Sequence, residues 1–132
     1  MAKILILDDD YELSATWRNA LEAKGHIVSL SSTSSEAIAY ATADEYDVFV
    51  VDFLLSNKQD TSDGGRLLLV HLKQTMSASD IEDTVIGVSG VDVATRTRAA
   101  QTVFESLGAT TFLAKPFTPE TLVEVAEGMI YR

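Results

Sequence analysis

Five reactive side chains stand at the ends of short apolar runs in this 132-residue sequence. They are the carboxylates Asp8, Asp9 and Asp52, the hydroxyl of Ser89 and the amine of Lys115. Three carboxylates held together repel one another, and Mg²⁺ would relieve that repulsion because it binds both carboxylates and phosphate oxygens. An amine and a hydroxyl nearby would stabilise a transferring phosphoryl group. The set therefore predicts phosphoryl transfer to a carboxylate nucleophile, which forms an aspartyl-phosphate.

These side chains can meet only if the chain forms a parallel sheet. Apolar runs alternate with stretches of helical periodicity, which is typical of βαβ units. The predicted strands are Lys3–Asp8, His26–Leu30, Asp47–Asp52, Thr84–Ser89 and Thr110–Lys115. Because the carboxyl ends of parallel strands share one edge of the sheet, where ligand sites form, the reactive residues of four strands are expected to converge there.

Helical patterns fill the intervals between the predicted strands. They comprise Tyr11–Lys24, a helix from a Ser35 cap through Ala43, Gly65–Thr75, a helix from an Asp92 cap to Gly108, and a last helix opened by Thr118 and Pro119. A cap followed by proline is a common helix start. With right-handed crossovers, the (βα)5 order predicts a doubly wound α/β fold built as a three-layer sandwich.

Length and composition predict one domain over residues 1–132. The hydrophobic fraction of 46% supports a self-sufficient core. Without cysteine, the chain has no disulfide, no thiolate nucleophile and no cysteine-ligated metal. No apolar stretch approaches the roughly 20 residues of a membrane span. We therefore expect a soluble, cytoplasmic protein with no membrane partner.

The net charge of −10 argues against direct nucleic acid binding, because an acidic surface repels phosphate. A nucleotide site is also not expected, since no glycine-rich loop follows the first strand.

His26 and His71 lie away from the reactive edge and are interpreted as structural or exposed. Trp17 is expected to pack in the core.

A single aspartate at a strand end is more often a cap or turn residue. The prediction of a reactive site therefore depends on all five reactive residues occurring together at strand ends.

The complete set resembles the receiver domains of two-component response regulators along essentially the whole chain. The matching features are Asp8-Asp9 after the first strand, Asp52 at the end of VFVVD, Ser89 in VIGVSG, the Lys115-Pro116-Phe117 turn, and Asp63-Gly64 before the third helix. The resemblance implies a flavodoxin-like fold whose five-stranded parallel sheet has the order 2-1-3-4-5.

The resemblance also implies a metal site. Asp52 looks like the phosphoacceptor and a ligand of Mg²⁺. Asp9 would bind the ion directly, and Asp8 directly or through water. The backbone carbonyl of Leu54 would supply another ligand.

Three further residues receive roles from the same resemblance. Lys115 would contact the phosphoryl group. Ser89 would move toward that group after phosphorylation. Phe112, three positions before the lysine, looks like the aromatic switch that turns inward when Ser89 moves. The alternative for Phe112 is an ordinary core phenylalanine.

The segment after Asp52 departs from the family pattern. Gly64 comes twelve positions after Asp52, about four more than the spacing expected from the family, and the usual Met-Pro is missing. The extra polar residues Ser56–Thr61 are expected to lengthen the loop beside the acceptor, where they would shield the site or recognise a partner. The apolar side chain of Leu54 offers no hydrogen bond to an attacking water, so we expect slow to moderate self-hydrolysis.

Three functions fit the sequence. The first is a signalling switch, phosphorylated by a sensor histidine kinase or histidine phosphotransfer protein, with output through contact with a downstream protein. Its only catalysis would be its own phosphorylation and dephosphorylation. The second is a magnesium-dependent phosphatase of the haloacid-dehalogenase type, which Asp8-Asp9-Asp10, Ser89 and Lys115 satisfy but which leaves Asp52 unexplained. The third is an unphosphorylated pseudo-receiver that acts as a binding module.

Overall fold

The structure, a computed structural model, describes residues 1–53, 65–90 and 94–131, without the side chains of residues 94–97. Its elements, in chain order, are β1 (Lys3–Leu7), α1 (Tyr11–Glu22), β2 (Ile27–Ser31), α2 (Ser34–Ala43), β3 (Val48–Asp52), α3 (Arg66–Lys73), α4 (Ala78–Thr84), β4 (Val85–Ser89), α5 (Ala94–Ser106), β5 (Thr111–Ala114) and α6 (Pro119–Ile130). Leu54, the 56–61 segment, Asp63-Gly64 and the predicted Asp92 cap lie outside the described residues.

The five strands form one parallel sheet with the order β2-β1-β3-β4-β5. This confirms the predicted flavodoxin-like arrangement. Central strands β1 and β3 are buried almost throughout, as expected for strands covered on both faces. Because β1 and β5 end one residue earlier than predicted, Asp8 and Lys115 lie just beyond their strands.

Helices cover both faces of the sheet and complete the doubly wound, three-layer sandwich. Alternate residues of each strand point to opposite faces, so Ile4 and Ile6 join one core while Leu5 and Leu7 join the other. Helices α1 and α6 pack on the first of these faces, and α2, α3, α4 and α5 pack on the second.

Helix α4 is an addition to the predicted (βα)5 order. Its start is a reciprocal capping box: the Ser77 hydroxyl accepts from the Asp80 N–H, and the Asp80 carboxylate accepts from the Ser77 N–H, both at 3.1 Å. Ile81 anchors this short helix in the core. The capping pattern was present in the sequence, but its periodic stretch was too short to be recognised as a separate helix.

The predicted cap of α2 was wrong by two residues. Thr33, rather than Ser35, caps the helix, and its hydroxyl accepts from the Glu36 N–H at 3.2 Å. The Glu36 carboxylate accepts in turn from the Ser32 N–H at 2.9 Å. Several hydroxyl residues in succession leave the cap position ambiguous in sequence.

Among the described residues, no helix has both the length and the apolarity required to cross a membrane.

Candidate functional site

Three carboxylates meet at the carboxyl edge of the central strands. Asp52 is the last residue of β3, and Asp8 and Asp9 directly follow β1. Strands β1 and β3 are neighbours and align Leu7 with Val51, which sets Asp8 beside Asp52. One carboxylate oxygen from each of the three residues lies within 4.8 Å of the others. The predicted convergence of the acidic residues is confirmed.

Lys115 extends from the end of β5 into this acidic cluster. Its Nζ lies 2.7 Å from Asp8 Oδ2 and 3.1 Å from Asp52 Oδ2. Strand β4 separates β5 from β3, so the long side chain crosses β4 to reach the carboxylates. Burial acts to lower the pKa of the Lys115 ammonium, but its hydrogen bonds and charge interactions with Asp8 and Asp52 outweigh burial and raise that pKa above its ordinary value. The amine is therefore a firmly held cation.

The cluster fits a hard divalent cation. Asp8 and Asp52 are only 2% and 4% exposed, so water does little to screen their mutual repulsion. Asp8 Oδ1 accepts from the Asp10 N–H at 2.9 Å, which fixes that carboxylate in place. Magnesium holds oxygen ligands at about 2.1 Å, so small rotations of the three side chains would bring them within range of one ion.

Ser89 stands at the same edge, and Phe112 does not. Ser89 ends β4, between Asp52 and Lys115, and its carbonyl accepts from the Lys115 N–H at 2.8 Å. Phe112 is half-buried and packs into the core on the opposite face from Leu113. Its ring centroid lies 5.5 Å from that of Phe53, in an edge-on arrangement. The switch roles of Ser89 and Phe112 stay predictions, as does the metal-ligand role of Leu54.

Trp17 contributes more than the packing expected of it. The indole is buried and stacks on Phe117 with centroids 5.1 Å apart and an interplanar angle of 15°. Lys115 Nζ lies 5.8 Å from the centroid of the indole, within the range of a cation–π interaction. Sequence reasoning missed this contact because residues 17 and 115 come together only when α1 packs against the Lys115-Pro116-Phe117 turn after β5.

Two glycines near the site allow other residues to approach the backbone closely, and sequence reasoning missed both contacts. A Cβ at Gly65 would lie 2.1 Å from Val51 Cγ1 and 2.5 Å from the Asp52 carbonyl oxygen. A Cβ at Gly87 would lie 2.5 Å from Phe53 and 2.7 Å from Phe112. A glycine directly before a helix, and one inside an apolar strand, are the only sequence signals of these approaches.

The histidines behave as predicted. His26 is buried at the opposite edge of the sheet, where its Nδ1 accepts from the Ala2 N–H at 3.2 Å and its Nε2 lies 3.0 Å from Glu127 Oε2. These bonds tie the start of the chain to α6. His71 is half-buried near Thr42, away from the carboxylates.

The sequence matches the profile of a known protein family. A family profile described as response regulator receiver domain matches residues 4–127. A search of curated protein sequences finds no match.

Many solved structures share the fold. The receiver domain of Francisella response regulator 1452 is 23% identical with a TM-score of 0.75, and the match covers 100% of this chain and 98% of that one. Vibrio cholerae chemotaxis protein CheY4 is 24% identical with a TM-score of 0.76, and 98% of each chain is covered. Brucella abortus NtrX is 23% identical with a TM-score of 0.77, but the match covers 98% of this chain and only 27% of NtrX.

Proposed function

The chain belongs to the response regulator receiver domain family, and we propose that it is a signalling switch that accepts a phosphoryl group on Asp52. The donor would be the phosphohistidine of a sensor histidine kinase or a histidine phosphotransfer protein. The output would be contact with a downstream protein, and the proposed location is the cytoplasm. In this proposal the chain is not an enzyme apart from its own phosphorylation and dephosphorylation.

One observation carries the proposal. A single ammonium group, Lys115 Nζ, lies within ion-pair distance of carboxylates from two neighbouring strands, Asp8 and Asp52. A structural ion pair needs one carboxylate for each amine, whereas here two carboxylates share one amine and a third, Asp9, lies beside them. Three carboxylates grouped beside one amine are suited to a site that binds both a cation and a phosphoryl group.

Asp52 is the proposed nucleophile. Its carboxylate oxygen would attack the phosphorus, so that a P–O bond forms as the P–N bond to the donor histidine breaks. Lys115 would pair with the phosphoryl oxygens, and its raised pKa keeps it charged for that role. The Ser89 hydroxyl, at the end of the neighbouring strand, would donate a hydrogen bond to another phosphoryl oxygen.

Asp8, Asp9 and Asp52 would hold Mg²⁺, with the carbonyl of Leu54 as the further ligand expected from the family. When bound, the ion would neutralise charge on the phosphoryl oxygens and on the carboxylates. Asp8 Oδ1 is held by the Asp10 N–H, and Asp8 Oδ2, which pairs with Lys115, is the oxygen that would be offered to the ion. Lys115 would then be released toward the phosphoryl group.

Phosphorylation would shift a two-state equilibrium. Ser89 would move toward the phosphoryl group, and Phe112 would turn further inward in response. The surface altered in this way comprises α5, β5 and α6, and it is the proposed contact for the downstream protein. The position of Lys115 supports this coupling, because its backbone N–H bonds to the Ser89 carbonyl.

Phosphorylation by a small donor tests the proposal. The protein is incubated with Mg²⁺ and acetyl phosphate, and its intact mass is followed with time. We expect one phosphoryl group per chain, lost in Asp52→Asn and retained in Asp47→Asn, a matched change at the exposed opposite edge of the sheet. Omission of Mg²⁺ should prevent the modification.

The same experiment separates the alternatives. Loss of the covalent phosphoryl group in Asp8→Asn together with its retention in Asp52→Asn would support the haloacid-dehalogenase hypothesis. That hypothesis gains no support from the family match. Absence of any modification, while a control receiver domain is modified, would contradict the proposal in favour of the pseudo-receiver.

A further inference from the structure

The ammonium group of Lys115 has to stay in the acidic cluster although its side chain is long and flexible. A lysine side chain loses much rotamer freedom when it is fixed in one position. Its two carboxylate partners, Asp8 and Asp52, are the same residues that the proposed site offers to Mg²⁺. Because an ion bound there would compete for both carboxylates, the ammonium group needs a further contact that is not a metal ligand.

The indole of Trp17 provides such a contact. Lys115 Nζ lies over the ring, 5.8 Å from its centroid. Trp17 is only 1% exposed, and a cation–π attraction is stronger where water is excluded. The indole is not a ligand for Mg²⁺, because this ion takes oxygen ligands. The attraction between Trp17 and Lys115 would therefore persist when the carboxylates turn to an ion.

Trp17 also holds the turn from which the lysine side chain extends. Its ring stacks on Phe117 at a centroid distance of 5.1 Å and an interplanar angle of 15°. Phe117 comes two residues after Lys115, so the stack restrains the backbone next to the lysine. The Lys115 N–H, bonded to the Ser89 carbonyl at 2.8 Å, restrains the same stretch of backbone. Trp17 thus acts on both the base and the tip of the Lys115 side chain.

The indole N–H indicates that filling the core is not the whole role of Trp17. Its Nε1 is buried and has no hydrogen-bond partner among the described residues. A buried donor without a partner is unfavourable. Leucine or phenylalanine would fill apolar space without that penalty, but leucine has no π face and phenylalanine attracts a cation less strongly than tryptophan does. The contact with the ammonium group accounts for a tryptophan at this position, whereas packing alone does not.

We propose that Trp17 is a positioning residue that keeps the Lys115 ammonium group in the site while Asp8 and Asp52 turn to a cation. The inference rests on the proposed phosphorylation of Asp52, in which Lys115 pairs with the phosphoryl oxygens. Trp17 itself would touch neither the phosphoryl group nor the ion. Its effect would be on the rate of phosphorylation, because a lysine that swings into solvent cannot stabilise the transferring group.

The contact itself is tested in protein without Mg²⁺ or a phosphoryl donor. The ε-methylene protons of lysine are followed by ¹H–¹³C NMR, since protons that lie over an indole are shifted upfield by its ring current. We expect an upfield shift for Lys115 relative to the exposed Lys24, lost in Trp17→Leu and reduced in Trp17→Phe. Equal shifts for Lys115 and Lys24 in the wild type would overturn the proposal, even if Asp52 is phosphorylated normally.

The consequence for function is measured as the rate of modification by acetyl phosphate and Mg²⁺. Trp17→Leu should react about fivefold more slowly than the wild type, and Trp17→Phe about twofold more slowly. Trp17→Phe keeps an aromatic ring against Phe117 and decides the question if the leucine variant does not fold. The control is Leu21→Ala, which opens a cavity in the same core but leaves the indole in place and should react near the wild-type rate.

Two outcomes of the rate measurement would overturn the positioning role. One is a wild-type rate in either folded Trp17 variant, and the other is equal slowing in Trp17→Leu and Leu21→Ala. A wild type that shows the upfield shift but takes up no phosphoryl group would instead contradict the proposed function, and this role of Trp17 with it.

Discussion

Lys115 offsets part of the negative charge of the acidic cluster, and that role has a measurable pH dependence. Replacement by glutamine removes the ammonium group that pairs with the buried Asp8 and Asp52, and we expect it to lower the free energy of unfolding by about 1–3 kcal/mol at pH 7. The pKa of Lys115 is raised in the folded state. Its contribution is therefore complete below the unfolded-state pKa and is lost as pH rises through the folded-state value.

Urea denaturation from neutral to alkaline pH measures this effect. The difference in unfolding free energy between wild type and Lys115→Gln should shrink as the ammonium loses its proton. Lys73→Gln, at the exposed end of α3, is the matched control and should show a small difference throughout. A Lys115→Gln difference that is independent of pH would contradict the role of the ammonium charge.

Trp17 makes cation binding visible without labelling, because it is the only tryptophan in the chain. Magnesium bound by the acidic cluster should draw Asp8 and Asp52 away from Lys115 and displace the ammonium that lies 5.8 Å from the indole. We expect a saturable change in Trp17 emission on titration with Mg²⁺, strongly weakened in Asp9→Asn. The same change in Asp9→Asn, or with NaCl of equal ionic strength, would show that the signal does not come from this cluster.

Among the elements, the start of α3 approaches the end of β3 closely, and this approach depends on the absence of a side chain at residue 65. A Cβ there would meet Val51 and the carbonyl of Asp52. Gly65→Ala should therefore destabilise the fold by about 1–3 kcal/mol and disturb the proposed phosphoacceptor. At Gly128, within α6, a Cβ has open space, so Gly128→Ala should instead stabilise by about 0.5–1 kcal/mol.

Thermal or urea denaturation of the two glycine variants provides the comparison. Equal stability of Gly65→Ala and wild type would show that the close approach of residue 65 to β3 is unimportant.

The sequence predicted the strands better than the helix starts, for a physical reason. Four of the five strands are compact apolar runs whose ends are marked by Asp8, Asp52, Ser89 or Lys115. Strand β2 has no such marker and lies one residue later than the predicted His26–Leu30. Helix α4 has only seven residues, and Ile81 is its only buried side chain. Such a helix carries almost no periodic signal. Likewise the Thr33 cap could not be distinguished from its hydroxyl neighbours, since each of them could accept from the N–H two or three positions further on.

In the molecule as a whole, the parallel sheet explains why the carboxylates could be assigned to one site from sequence. Parallel strands place their carboxyl ends at one edge, so the strand order brings Asp8, Asp9 and Asp52 together whatever the detailed packing. The contact of Lys115 with Trp17 and the approach of Gly87 to Phe112 depend on side-chain packing between distant elements. No sequence spacing encodes those distances.

The proposed switch should alter one side of the molecule and leave the other unchanged. Hydrogen exchange of the protein with and without the phosphoryl group measures this directly. We expect altered exchange in β5 and in the helices that flank it, α5 and α6, because Ser89 and Phe112 would both move. Strand β2, at the other end of the sheet, should be unaffected. Changes confined to β2, or spread evenly over the chain, would contradict the proposed output surface.

Identification of the modified residue decides whether Asp52 is the phosphoacceptor. Protein treated with acetyl phosphate and Mg²⁺ can be reduced with borohydride, which converts an aspartyl-phosphate to homoserine, and then mapped by peptide mass spectrometry. We expect homoserine at position 52 and aspartate at positions 8 and 9. Homoserine at position 8, or its absence from all three positions in protein that carries a phosphoryl group, would show that Asp52 is not the acceptor.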